Sequence, residues 1–320
     1  MQPSSSFATR NRPRYSATLL SRARQQAVAL VLVIFMSSCT HTSNQSPEQY
    51  KGSIRAWQKQ RDAGLRSADS WLTLAGLFWL TPGGQTIGAA DTNDLVLPKK
   101  SAPAVIGRLE LQGDKVIFTN VAGSAVTVNN KPANSPCALG YDENKPDIVR
   151  AGSISFYIIK RLTKVGVRAK DTNSPVLKSF QGMQYFPINA ELHFANARLI
   201  SNPKRIPIVN ILGQTDMEDS PGILEFTYRG QRYHLRPIYE GKTLFFLFKD
   251  PTNKTQTYQA GRMLNTPLPE HGRVDLDFNR SYNPPCTFTP YATCPLPPRE
   301  NTLPFPVTAG ELRYRVGNAE

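Results

Sequence analysis

Apolar residues recur at two different periods along this chain. Tyr50, Ile54, Trp57 and Leu65 return at helical spacing, with Arg55, Lys59 and Arg66 among the polar positions between them, the stripe of a surface helix. Ser46-Pro47-Glu48-Gln49 supplies its start, with serine as N-cap, proline at the first helical position and glutamine placed to close a capping box. One amphipathic helix to about Asp62 is therefore predicted, with Trp57 and Arg61 read as packing and surface residues. Trp71 to Leu80 is apolar enough for core. After the turn at Pro82-Gly83-Gly84 the period shortens to that of strands. Ile87-Gly88, Asn93 to Pro98, Gly107 to Leu111, Val126 to Asn129 and Gly152 to Phe156 are short β-like segments set between turn residues.

From Phe156 to Asp171 the pattern passes into a second β-rich region, with Ile158 to Arg161 and Val165 to Arg168 as paired strands. Beyond Pro207, strands are predicted at Val209 to Leu212, Ile223 to Tyr228, Arg232 to Tyr239, Thr243 to Phe248, Gln256 to Arg262 and Arg273 to Phe278. Short strands at such spacing indicate a sandwich or barrel. The fold class is mainly β: an N-terminal helix and a β-sandwich over 47–160, then a second β-rich sandwich or barrel domain over 161–320. The first set of strands resembles, in its order, the forkhead-associated β-sandwich. That likeness implies a scaffold without its phosphothreonine site, because Ala89 follows Ile87-Gly88 and no histidine lies between His41 and His193.

Residues 1–38 carry five arginines and no acid, then an apolar run from Ala27 to Met36, then Ser37-Ser38-Cys39. This is the order of an export signal, and the cysteine after small residues resembles a bacterial lipobox. Cys39 is the expected lipidation site, with 39–46 as a polar tether. The acyl chains would hold the protein at a lipid bilayer, in the cell envelope and facing the periplasm from the outer membrane, where Thr40 after the cysteine directs it. The net charge of +14 includes the leader arginines. The rest of the excess is scattered, with no nucleic-acid-binding signature.

Prolines, among them Pro284, Pro285, Pro295, Pro297 and Pro298, make the stretch after Asp277 a rigid irregular loop. In an oxidising compartment its close pair Cys286 and Cys294 is the natural disulfide, leaving Cys137 as a free thiol. Around this loop gather Asp250, Thr252, Thr257, Tyr258 and Arg262, then Asp277, Asn279, Asn283, Glu300, Asn301 and Glu311. Asp277 and Asn279, two apart, would share one face of an extended chain. Arg168 could pair with Asp171 or with a ligand carboxylate. Carboxylate and amide oxygens on one face could bind a hard cation such as Ca²⁺, orient a sugar, or, with Asp277 and Glu300 as acid and base, hydrolyse a substrate. They also brace turns where ladder bonds are missing. No GxSxG, HExxH, GxxxxGK[ST] or GxGxxG motif is present, and the histidines lack ligand spacing. No metal site is predicted, and no cofactor is specified.

Trp71-Leu72-Thr73-Leu74-Ala75-Gly76-Leu77-Phe78-Trp79-Leu80, the run from Asp277 to Cys286 and Ala309-Gly310-Glu311 together resemble the bacterial family catalogued as domain of unknown function 1684. The resemblance covers roughly Ala56 to Tyr314. It implies that Asp250, Thr257, Tyr258, the Asp277-Phe278-Asn279 run and Glu300-Asn301 belong together, and it implies no activity. The expected function is binding of a small anionic or sugar-like ligand at a C-terminal polar cleft. A hydrolase using Asp277 and Glu300 is the alternative.

Overall fold

Thr243-Leu-Phe-Phe-Leu-Phe248 shows no polar alternation, and in the computed structural model this strand is buried on both faces. Leu244, Phe246 and Phe248 enter one core, whereas Phe245 and Leu247 enter another. Each such side chain taken from water contributes roughly 2 to 3 kcal/mol, so this strand is the spine of its region. The structure describes residues 45–142 and 145–315. The leader 1–38 and Cys39 lie outside the described residues.

The fold is mainly β. In the first sandwich a six-stranded sheet is ordered Leu74–Trp79, Lys164–Asp171, Ile154–Arg161, Val149–Ala151, Thr127–Val128 and Lys131–Pro132. A five-stranded sheet, Leu95–Val96, Gly83–Gly88, Gly107–Gln112, Lys115–Asn120 and Cys137–Leu139, shares its core. Phe118 of one meets Phe156 of the other edge to face at 5.8 Å. Lys164–Asp171, expected to open the second region, pairs along its whole length with Ile154–Arg161. The first sandwich thus extends past residue 160 to Asp171.

In the second region, four strands, Gln231–Leu235, Thr215–Tyr228, His193–Val209 and Arg273–Asp277, form one sheet. Ile238–Glu240, Thr243–Phe248 and Arg262–Pro267 form another. His193–Val209 and Thr215–Tyr228 make a long hairpin whose register shifts between Ser201 and Lys204. Gly222 sits opposite, where a Cβ would lie 2.1 Å from the Ile200 carbonyl. Beyond this irregularity Ile206 and Ile208 cover Phe245, Leu247 and Met263, while Leu224 and Phe226 remain with Phe246 and Phe248. Of the predicted strand Val209 to Leu212 only Val209 is extended, and Ile211 and Leu212 form the hairpin turn. Most of Gln256 to Arg262 is turn, and the strand there begins at Arg262.

Helix α1 spans Pro47–Leu65. The Gln49 N–H donates to Ser46 Oγ at 3.2 Å and the Ser46 N–H to Gln49 Oε1 at 2.9 Å, which closes the capping box. Its buried residues are Tyr50, Ile54 and Leu65. Expected to accompany the first sandwich, α1 instead docks on the second region: Tyr50 reaches Asp277 and Arg61 reaches Glu311. Leu65 joins a small core with Leu72, Phe180, Met183 and Phe288.

Candidate functional site

The polar residues around the proline-rich loop fall into separate buried networks. Asp277 caps a short 3₁₀ turn, Phe278–Arg280, so it and Asn279 are not on one face of an extended strand. Its Oδ1 accepts from Tyr50 Oη and from the Asn279 N–H, each at 3.0 Å. Asn279 Nδ2 donates to Tyr50 Oη and to the Asn189 carbonyl, and its Oδ1 accepts the Asn189 N–H at 2.8 Å. Burial first, and then the Asp277 carboxylate, push the Tyr50 phenol well above its ordinary range, which keeps it a donor. His193 stacks on Tyr50 at 4.8 Å and meets Asp275 at 2.5 Å.

Arg262 and Asp250 form an ion pair with neither side chain exposed, at 2.8 Å. Arg262 Nη1 also donates to the Ala309 carbonyl and Nη2 to that of Val307. Asp250 Oδ1 accepts from the Thr252 and Val307 N–H groups. Gly310 makes this possible: it adopts φ +77°, and a Cβ there would lie 2.5 Å from the Ser281 carbonyl. Thr257 is held by Thr252 and Asn253, and Tyr258 Oη donates to the Cys286 carbonyl at 3.4 Å. Asn301 ties two strands together, accepting from the Arg236 N–H and donating to the Arg236 and Leu247 carbonyls.

Glu300 is different, with its side chain half exposed and paired to Arg236 at 3.1 Å. It shares no partner with Asp277, whose carboxylate is engaged with backbone and phenol. The structure therefore does not bring the proposed acid and base together, and most of the predicted ligand set braces the loop.

Two of that set, Arg168 and Asn283, do line an open groove of about 360 Å³, within the size range of small-molecule sites. The first sandwich contributes Arg161 and Arg168, α1 contributes Arg61, and Trp71 flanks them. The second region contributes Tyr282, Asn283, Phe245, Met263 and Glu240, and the loop contributes Thr293 and Cys294. Arg161 and Arg168 share a sheet face, because Arg168 pairs with Tyr157 and Arg161 follows Tyr157 by four residues. Both guanidiniums reach Thr293 Oγ1, at 3.4 Å.

Arg168 is 5% exposed, yet its Nε has no acceptor and its remaining contact is the Trp71 ring at 5.8 Å. It does not pair with Asp171, which accepts from the Asn173 N–H instead. On a strand, residues three apart face opposite ways. Arg61 lies over the Tyr282 ring at 4.8 Å and donates to Glu311 at 2.8 Å. Burial works against its charge, but the Glu311 carboxylate prevails and raises its pKa. Glu311 Oε2 in turn accepts from the Asn283 N–H and Nδ2.

Cys286 and Cys294 are disulfide-bonded, with Cα atoms 6.2 Å apart, and Cys137 is unpaired. The bridge carries Thr293 and Cys294 at the groove wall. Sequence reading missed Arg61, Trp71, Arg161, Glu240, Tyr282 and Thr293 as groove residues; the Arg161 and Arg168 alternation on adjacent strands was the available signal. Among the described residues no group of three His, Cys, Asp or Glu side chains could hold a metal ion. No helix there is long and apolar enough to cross a membrane.

Residues 178–312 match the family described as a protein of unknown function, DUF1684. No curated protein matches the chain. Among solved structures, the solution NMR structure of an uncharacterized protein of Haloarcula marismortui is 29% identical. It covers 42% of this chain and 78% of its own, with a TM-score of 0.35. The matched stretch, residues 178–312, holds Asp250, Arg262, the Asp277-Phe278-Asn279 run, the disulfide and Glu311, and over it the chain is similar to the DUF1684 family.

Proposed function

We propose that this protein is a ligand-binding module of the cell envelope, tethered to the bilayer through acylated Cys39, which captures a small anionic molecule in the groove between its two β regions. The carrying observation is Arg168, a buried guanidinium that keeps its Nε without an acceptor at the groove wall. A buried charge is costly unless it is paired, and a ligand carboxylate or phosphate supplies the planar acceptor that a guanidinium fits. Trp71 lies against the Arg168 guanidinium, and Arg161 stands beside it in the same groove lining. The tether rests on the basic leader, the apolar run and the small residues before Cys39.

Calorimetric titration of the full chain in detergent with 3-phenylpropanoate and with inorganic phosphate tests the site. Binding that R168Q weakens about tenfold or more, the scale of one charge-assisted contact, is expected. Equal affinity in R168Q and the parent overturns the assignment. Labelled palmitate incorporated by the parent and not by C39A tests the tether.

A further inference from the structure

We infer, building on the anion reading of this groove, that its ligand is a zwitterion: a carboxylate and an ammonium joined by a short apolar body, as in an amino acid or a short peptide. The groove carries an unmet acceptor as well as an unmet donor. Asn283 is fully buried, lines the groove and has an Oδ1 without a partner. Its amide orientation is set by the surroundings, since Nδ2 faces two acceptors, Glu311 Oε2 at 3.0 Å and the Leu312 carbonyl at 2.7 Å. Oδ1 must therefore be met by a donor.

Charge follows the same division. Arg168 and Arg161 come from the first sandwich, whereas Glu240, the acid among the described lining residues, comes from the second region. No basic side chain pairs with Glu240 among the described residues. Its Oε2 accepts from Asn265 Nδ2 at 2.6 Å, and Asn265 Oδ1 accepts from Tyr282 Oη at 2.5 Å. That relay fixes a carboxylate which would otherwise be a freely rotating surface group. Phe245, Met263 and Tyr282 lie in the same lining and suit an apolar frame between the two charged ends. A simple anion would satisfy Arg168 and leave Asn283 and Glu240 unanswered.

Three matched probes test this on the full chain: phenylalanine, 3-phenylpropanoate, which lacks the ammonium, and 2-phenylethylamine, which lacks the carboxylate. Phenylalanine is expected to bind about tenfold more tightly than 3-phenylpropanoate, the gain of one charge-assisted contact. E240Q should erase that ratio by weakening phenylalanine relative to 3-phenylpropanoate, and R168Q should weaken both. An alanyl-phenylalanine arm separates the sources: tighter dipeptide binding indicates a peptide end, and tighter phenylalanine binding a free amino acid. If 3-phenylpropanoate binds as tightly as phenylalanine, or E240Q preserves the ratio, the zwitterion is overturned and the anion site stands. If 2-phenylethylamine alone binds, or neither these probes nor inorganic phosphate binds, both readings fall; phosphate binding alone overturns the zwitterion and leaves the anion site.

Discussion

Two buried arginines of this chain have opposite surroundings. Arg262 is enclosed with the Asp250 carboxylate and two carbonyls on its terminal nitrogens. Arg168 has one hydroxyl at 3.4 Å and an indole face. Each leaves its Nε without an acceptor, but Arg262 borders only a crevice of about 10 Å³, and Arg168 an open groove. The same side chain is a brace where its partners are built in and, on the proposed reading, a receptor where they would arrive from solution.

The comparison breaks most visibly through Asp250. D250A leaves Arg262 charged and uncompensated in the interior and is expected to cost roughly 3 to 5 kcal/mol, read from denaturant midpoints at constant slope. A loss below about 1 kcal/mol would mean that the pair is no brace. Next comes the disulfide. C286S with C294S opens a short loop and should cost roughly 2 to 3 kcal/mol, while anion affinity falls because Thr293 and Cys294 are freed from the groove wall. R168M should have the reverse profile: stability within about 1 kcal/mol of the parent, or higher, since an uncompensated charge is removed. Marked destabilisation by R168M would make the two arginines alike.

The smallest effect concerns His193, which faces Tyr50, Asp275, Asp277 and Arg280. The hydrogen bond that His193 donates to the Asp275 carboxylate raises its pKa above 6.5, against the opposing pull of burial. The stability it adds is present in full below that value and is lost as pH rises through the folded one. Asp275, lowered from 3.8 chiefly by the same bond, adds stability above that value and loses it as pH falls through its folded pKa. The pair is partly exposed, so less than about 1 kcal/mol should disappear as pH rises above the ordinary histidine value. A flat profile in H193F, which keeps the stack on Tyr50, would identify the group.

Periodicity and turn chemistry made the helix, its cap and the second region's buried strand legible, because each depends on neighbours in sequence. The disulfide followed from spacing and compartment. The same local signals misplaced the strand after Pro207, since the apolar Ile211 and Leu212 form the turn of the long hairpin. At the site, Asp250, Asn279, Asn301 and Glu311, read together from the sequence, belong to separate buried networks. Their roles as braces were not legible, because a carboxylate that satisfies backbone amides and one that awaits a ligand are the same letter. Arg61 was read as a surface residue for a related reason: its partner Glu311 stands 250 positions away.

That separation also sets when the groove exists. The first sandwich is closed by Asp171, and its strands can pair while the chain is still being made. Arg61 must wait for Glu311, and Tyr50 for Asp277, 227 positions later. At about 5 to 20 residues per second, that is on the order of ten to fifty seconds of synthesis in which α1 has no seat. Contacts this distant in sequence also close slowly once available. A chain that stops short of Glu311 would keep its first sandwich and leave Arg61 without its partner, so on the proposed reading ligand capture depends on a segment made 250 positions later.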